Sequence, residues 1–277
     1  MNLKLKHIVL LVSLLGVVSC GETPTSQLTE QFPILRPGPL NMEFSLIPVG
    51  SFRMGSPESE EGRGENESFH WVRLTEDYEM QTTEVTIEQW RKVMNTRPAN
   101  GGCWHDGGVS KNDNSPIVCI NSDEIRDFID RINDAQKNTG YKYALPTEAQ
   151  WEYAARAYTE TPYSMTGDVD LFAWHSGNSR GHTHSIGELK ANFFGLYDVH
   201  GNVYEWVLDW YKYDYPKTPS ISNAIKNPKG PEYSEKKVIR GGGWSEEKSH
   251  SRSANRNACY SHNQFTNLGF RIMRTKI

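Results

Sequence analysis

The chain has 277 residues, a formal net charge of −4 and only 36% hydrophobic residues, with 8 Trp, 13 Tyr and 10 Phe. That length holds a short leader plus one large domain or two small ones. With no basic block in the sequence, a nucleic-acid footprint, which needs a clustered basic face, is excluded. Large rings can build a core where aliphatics are few, because each buries far more area. The 23 Gly and 14 Pro predict many turns and few long helices.

Residues 1–19 read as a signal peptide. Lys4 and Lys6 form a charged start, and Ile8 to Val18 is an apolar run too short to span a bilayer comfortably. The run ends Val17-Val18-Ser19-Cys20, which resembles a bacterial lipoprotein signal with Cys20 as the acylated residue; the competing reading is ordinary secretory cleavage after Ser19. Residues 20–41, the lipidated cysteine and a stretch rich in Thr, Ser, Gln, Glu and Pro, read as a flexible tether. The expected location is the bacterial cell envelope, anchored to the inner or outer membrane through lipid on Cys20. The globular domain is expected over 42–277.

Short strands are predicted over Phe44–Val49, Phe52–Met54, Trp71–Leu74 and Tyr78–Val85. The acidic span Ser56–Glu67 reads as an exposed loop. Capping boxes at Thr86-Ile-Glu-Gln89 and Thr147-Glu-Ala-Gln150 start two helices. Another helix starts near Asn121, its Ile125, Phe128, Ile129 and Ile132 falling on one face. Residues 158–194 lose all period. His182 and His184, with His175, are a candidate zinc set there; the alternative is surface histidines.

An exported chain sees oxidising conditions, so one disulfide is expected. Cys103, Cys119 and Cys259 allow three pairings. Cys103 and Cys119 flank a Gly, Asn and Asp-rich segment and are the expected pair, leaving Cys259 as a buried thiol.

Gly195-Leu-Tyr-Asp-Val-His-Gly-Asn-Val-Tyr-Glu-Trp206 sets two carboxylates, Asp198 and Glu205, on either side of the Gly201-Asn202 turn. A reversal there aims carboxylates and carbonyls at one point, as a calcium cage requires. The competing reading has Asp198 capping the turn and Glu205 paired with an arginine.

Several stretches together resemble one family: Phe52-Arg-Met-Gly-Ser56, Glu84-Val-Thr86, Leu145-Pro-Thr-Glu-Ala-Gln-Trp-Glu-Tyr-Ala-Ala-Arg156, Asn192-Phe-Phe-Gly-Leu-Tyr-Asp198, Gly201-Asn-Val-Tyr-Glu-Trp206, Arg240-Gly-Gly-Gly-Trp244 and Gly269-Phe-Arg271. The chain resembles the formylglycine-generating enzyme family, the sulfatase-modifying-factor domain, over residues 42–274. The resemblance implies an α+β chain: the formylglycine-generating-enzyme variant of the C-type-lectin-like fold, a loop-rich mixed single domain. It also implies one structural calcium held by the side chains of Asp198 and Glu205 and the carbonyls of Gly201 and Val203.

Family oxidases hold copper with two cysteines five residues apart. Here those positions are Glu246 and Ser251, hard oxygen donors that suit Cu(I) poorly. Copper and formylglycine-generating activity are therefore not expected. Trp244 to Phe265 is poor in aliphatics and rich in hydrogen-bonding groups. Trp244, Glu246, His250, Ser251, Asn255, Asn257, Tyr260, His262 and Asn263 are the expected contacts for a protein, peptide or glycan. Two alternatives stand beside this binding module. One is a divergent oxidase, or another reaction using Glu246 and His250. The other is a lectin-fold protein diversified by a retroelement, with Arg252-Ser-Ala-Asn-Arg256 in its variable face.

Overall fold

Three capping boxes start the three longer helices of the fold. In the computed structural model, each N-cap side chain accepts from the third backbone N–H while the Gln or Glu at that position reaches back, at Thr86/Gln89, Asn121/Glu124 and Thr147/Gln150. The structure describes residues 33–98, 101–215, 217–218 and 220–277. The expected leader, Cys20 and the first part of the tether lie outside them. Among the described residues no helix is long and apolar enough to cross a membrane.

In chain order the elements are β1 (Leu35–Pro37), β2 (Glu43–Ile47), β3 (Gly50–Met54), β4 (His70–Leu74), β5 (Tyr78–Gln81), α1 (Ile87–Met94), α2 (Gly101–Trp104) and α3 (Ser122–Gln136). Then follow β6 (Tyr141–Ala144), α4 (Glu148–Arg156), β7 (Tyr204–Trp210), β8 (Ile225–Lys226), β9 (Lys236–Arg240), β10 (Arg256–Tyr260), β11 (Leu268–Gly269) and β12 (Met273–Lys276). They form sheets ordered β1-β2-β5-β12-β6, β10-β9-β7-β11 and β3-β4-β8. Pairing is antiparallel except β7 with β11 and β4 with β8. This is a mixed α+β single domain with much irregular chain.

β1 corrects the expected tether boundary. Leu35, Arg36 and Pro37 pair with Ser45, Phe44 and Glu43, so the folded part begins before residue 42. Pro37 is tolerated because β1 is an edge strand, where a missing N–H breaks no ladder.

Two hydrophobic clusters fill the interior. In one, Trp90 of α1 stacks on Phe128 of α3 at 5.4 Å, and Phe270 meets Phe128 edge-on at 5.4 Å. The predicted α3 stripe of Ile125, Phe128, Ile129 and Ile132 is its buried face. In the other, Trp151 and Tyr153 of α4 pack with Phe194, Val207 and Val238. Cys103 and Cys119 form a disulfide beside the first cluster.

Buried ion pairs tie these layers together. Arg240 on β9 pairs with Glu148 and Glu152 of α4, and Arg156 also pairs with Glu152. Arg256 on β10 grips Glu148 with two bonds of 2.8 Å. Arg252 binds Glu67 and Glu60. Glu67 is fully buried and accepts from Ser56 and Gly64 as well. The acidic segment is therefore not simply a solvated surface: two of its glutamates are the counter-charges of a buried arginine.

Candidate functional site

Two places concentrate the predicted site residues: the Asp198–Glu205 turn and the groove beyond the Arg240–Gly243 turn.

At the first, Gly201 has φ +153° and a Cβ there would lie 2.4 Å from the Trp174 carbonyl, so only glycine fits. Asn202 follows with φ +62° and locks the loop: its Oδ1 accepts from His184 N–H and its Nδ2 donates to Glu84. Val203 and Glu205 are fully buried, and Asp198 nearly so. Asp198 Oδ2 accepts from Gly187 N–H at 2.7 Å, while its Oδ1 has no protein partner. Glu84 Oε2 is likewise buried without a partner. Burial first, and then the Glu205 charge, pushes Asp198 up to about 6; burial and then Asp198 hold Glu84 well above the carboxylate range.

Glu205 has other commitments. Its two oxygens take Arg271 Nε and Nη2, each at 2.7 Å, and Trp151 Nε1 donates to Oε2 at 2.7 Å. That is the arginine pairing that competes with calcium in the sequence. Glu84 is not among the predicted site residues, although it stands in the Glu84-Val-Thr86 motif that helps carry the family resemblance. Among the described residues, no three His, Cys, Asp or Glu side chains converge as a metal cluster. A cation at this turn would therefore draw on Asp198, Glu84 and carbonyls more than on a carboxylate triad.

Of the candidate zinc histidines, His182 and His184 stack on each other at 4.5 Å and His182 Nδ1 meets the Thr183 carbonyl. His184 stacks face-to-face on Trp174 at 3.6 Å, with Nε2 on the Ser179 carbonyl. His175 Nε2 meets Asp170 at 2.7 Å.

The second place is a groove of about 420 Å³ beside β7, β9 and β10. Of the nine predicted contacts it is lined by Glu246, Asn257, Tyr260 and Asn263, together with Tyr204, Lys236 and Asn267, which the sequence does not single out. Tyr260 is exposed, stacks on His262 at 5.6 Å and lies under Lys236 Nζ. Trp244 does not line the groove: it packs against the first hydrophobic cluster, and its Nε1 donates to the Thr266 carbonyl. Ser251 is a correction. Ser251 is fully buried, with its carbonyl held by His200 Nδ1, and the Asn255 carbonyl accepts from Arg240. Arg252, Ser253, Ala254 and Arg256 are buried too, so this run is not a ligand-facing surface. A short stretch rich in polar residues does not reveal that its arginines face acids across the fold.

Glu246 Oε2 and the Tyr204 hydroxyl lie 3.4 Å and 3.2 Å from the same atom, His250 Nδ1. A proton relay through a histidine uses its two nitrogens on opposite sides. Here both neighbours meet one nitrogen, which makes a hydrogen-bonded cluster and not a relay. Burial also pushes the Tyr204 phenol up to about 12. Cys259 lines the groove as a free thiol that is mostly buried, and burial pushes it up to about 12, far from thiolate at neutral pH.

The family model described as the sulfatase-modifying factor enzyme 1-like domain matches residues 34–276. Chaperone protein LppX of Paenibacillus barcinonensis is 29% identical over 209 residues, covering 61% of this chain and 69% of that protein. Formylglycine-generating enzyme of Thermomonospora curvata is 34% identical over 113 residues, 35% of this chain; the chain thus spans 37% of that enzyme's length. Among solved structures, PvdO from Pseudomonas aeruginosa superposes with a TM-score of 0.75 at 28% identity, covering 90% of this chain and all of that one.

Proposed function

The chain belongs to the family of sulfatase-modifying factor enzyme 1-like domains, and from that premise we propose that it is a binding and scaffold module without oxidase activity. One observation carries the reading. Where the family resemblance implies a copper-holding cysteine pair, this chain has Glu246, which is hydrogen-bonded at the groove rim, and Ser251, which is buried. Carboxylate and hydroxyl are hard donors, and Cu(I) selects soft thiolates. A chaperone among the similar proteins accords with a role in holding another molecule.

The groove would take a protein, peptide or glycan segment through Asn257, Asn263 and the exposed Tyr260 ring. Lipid on Cys20 would hold the domain at the bacterial envelope, as the apolar run ending at that cysteine suggests. One calcium would be structural, held by Asp198 with the carbonyls of Gly201 and Val203, and with Glu205 shared with Arg271. The unpartnered oxygens of Asp198 and Glu84 support a cation there.

The test is incubation of purified protein with copper, oxygen and a Cys-x-Pro-x-Arg peptide. The peptide thiol should survive as it does without protein. Formylglycine above that control overturns the proposal.

A further inference from the structure

The buried carboxylates of the described residues fall into two groups. Glu67, Glu79, Glu148, Glu152 and Glu205 each have an arginine. Outside the Glu84–Asp198 pair, Asp209 on β7 is the exception: it is 3% exposed and makes no ion pair among the described residues. Its Oδ2 accepts from Glu148 N–H at the start of α4, at 2.9 Å. Lys237 and Arg256 lie near enough to draw its proton affinity down, but neither forms an ion pair with it among the described residues. Arg256 is spent on Glu148, and Lys237 Nζ donates to the Leu208 carbonyl.

Asp209 lines a cavity of about 300 Å³, away from the groove described above. Most of the surrounding wall is apolar, including Trp210, Ile225, Pro228 and Pro231. Burial, and then the Glu148 charge, pushes Asp209 up to about 7, against the opposing pull of Lys237 and Arg256. Arg256 also lines the cavity, buried and held on Glu148, while the lining lysines, Lys212 and Lys229, are exposed; their stems can cover apolar wall while their heads stay in water. Asp214, also exposed, offsets one of them.

We propose that this cavity binds a primary amine with a short apolar body, the ammonium on Asp209 and the body against Trp210 and the proline–isoleucine wall. A cation there supplies the partner the other buried acids already have. A pocket of apolar walls with one fixed charge is the usual form of a small-molecule site.

Calorimetric titration of the full chain with phenethylamine and, separately, with 3-phenylpropionate tests this. The amine should bind and the carboxylate should not. Asp209→Asn keeps an oxygen for Glu148 N–H and should weaken amine binding at least about tenfold, the effect of losing a charge-assisted hydrogen bond. Ile225→Trp, which fills the cavity from its wall, should abolish binding while circular dichroism stays native. The proposal is overturned if the carboxylate binds as tightly as the amine, if neither binds, or if folded Asp209→Asn retains full affinity.

Discussion

Arg271 and Glu205 meet in a two-bond ion pair with neither side chain exposed to solvent. Every remaining donor direction of Arg271 is also used, on the carbonyls of Gln81, Thr82 and Tyr197. The pair pins the segment before β12 to the Asp198–Glu205 turn, and Trp151 of α4 completes it. The motifs that carry the family resemblance are therefore largely the parts of one internal scaffold.

Replacing Arg271 with Met should destabilise the domain by about 3–5 kcal/mol, because Glu205 is left as a buried charge without its counter-ion. Urea unfolding followed by tryptophan fluorescence measures it. A loss below about 1 kcal/mol, the range of a solvent-exposed pair, would mean that the pair is not buried in solution.

Calcium should raise the melting temperature of chelator-treated protein, by the equivalent of about 2.7 kcal/mol at a hundredfold excess over Kd. Asp198→Ala should remove that rise. An unchanged melting temperature with and without chelator refutes the cation reading of the turn.

Asp209 makes stability depend on pH in a stated direction. Its folded pKa, about 7, lies above the ordinary aspartate value, so between these two the folded state binds the extra proton. Stability from this group is full below the unfolded pKa and is lost as pH rises through about 7. Asp209→Asn should match the native protein near pH 4 and exceed it at pH 8. The excess should reach at most about 4 kcal/mol, since each tenfold change in proton affinity is worth about 1.4 kcal/mol. Denaturant midpoints at the two pH values check it; a variant less stable at pH 8 than at pH 4, relative to native, contradicts it.

Reduction of the Cys103–Cys119 bridge, which closes a separation of 16 residues, should cost about 3 kcal/mol. Cys103→Ser with Cys119→Ser should show the same loss in the absence of reductant. Equal midpoints for native and double variant would show that the bridge adds nothing.

The helices are legible in the sequence because their signals are local: capping pairs three residues apart, and an apolar stripe such as Ile125–Ile132. The arginine alternative for Glu205 is also visible there as a possibility, though not which arginine. What local patterns miss is long-range. Glu67 looks like surface until Arg252, 185 residues away, is placed beside it. Arg256 looks like part of a binding face until Glu148, 108 residues back, claims it. Ser251 falls inside for the same reason: it is flanked by that buried lattice. The strand Leu35–Pro37 escapes notice because the prolines at 33, 37 and 39 and Gly38 give the stretch the composition of a tether, and edge pairing leaves no periodic trace in three residues.

The most direct test of the central claim is a Cu(I) titration of the purified, reduced protein against a competing chelator, with X-ray absorption on any copper retained. No sulfur-ligated copper is expected, since positions 246 and 251 offer oxygen and Cys259 is a single, mostly buried thiol. One equivalent of copper bound through sulfur would contradict it.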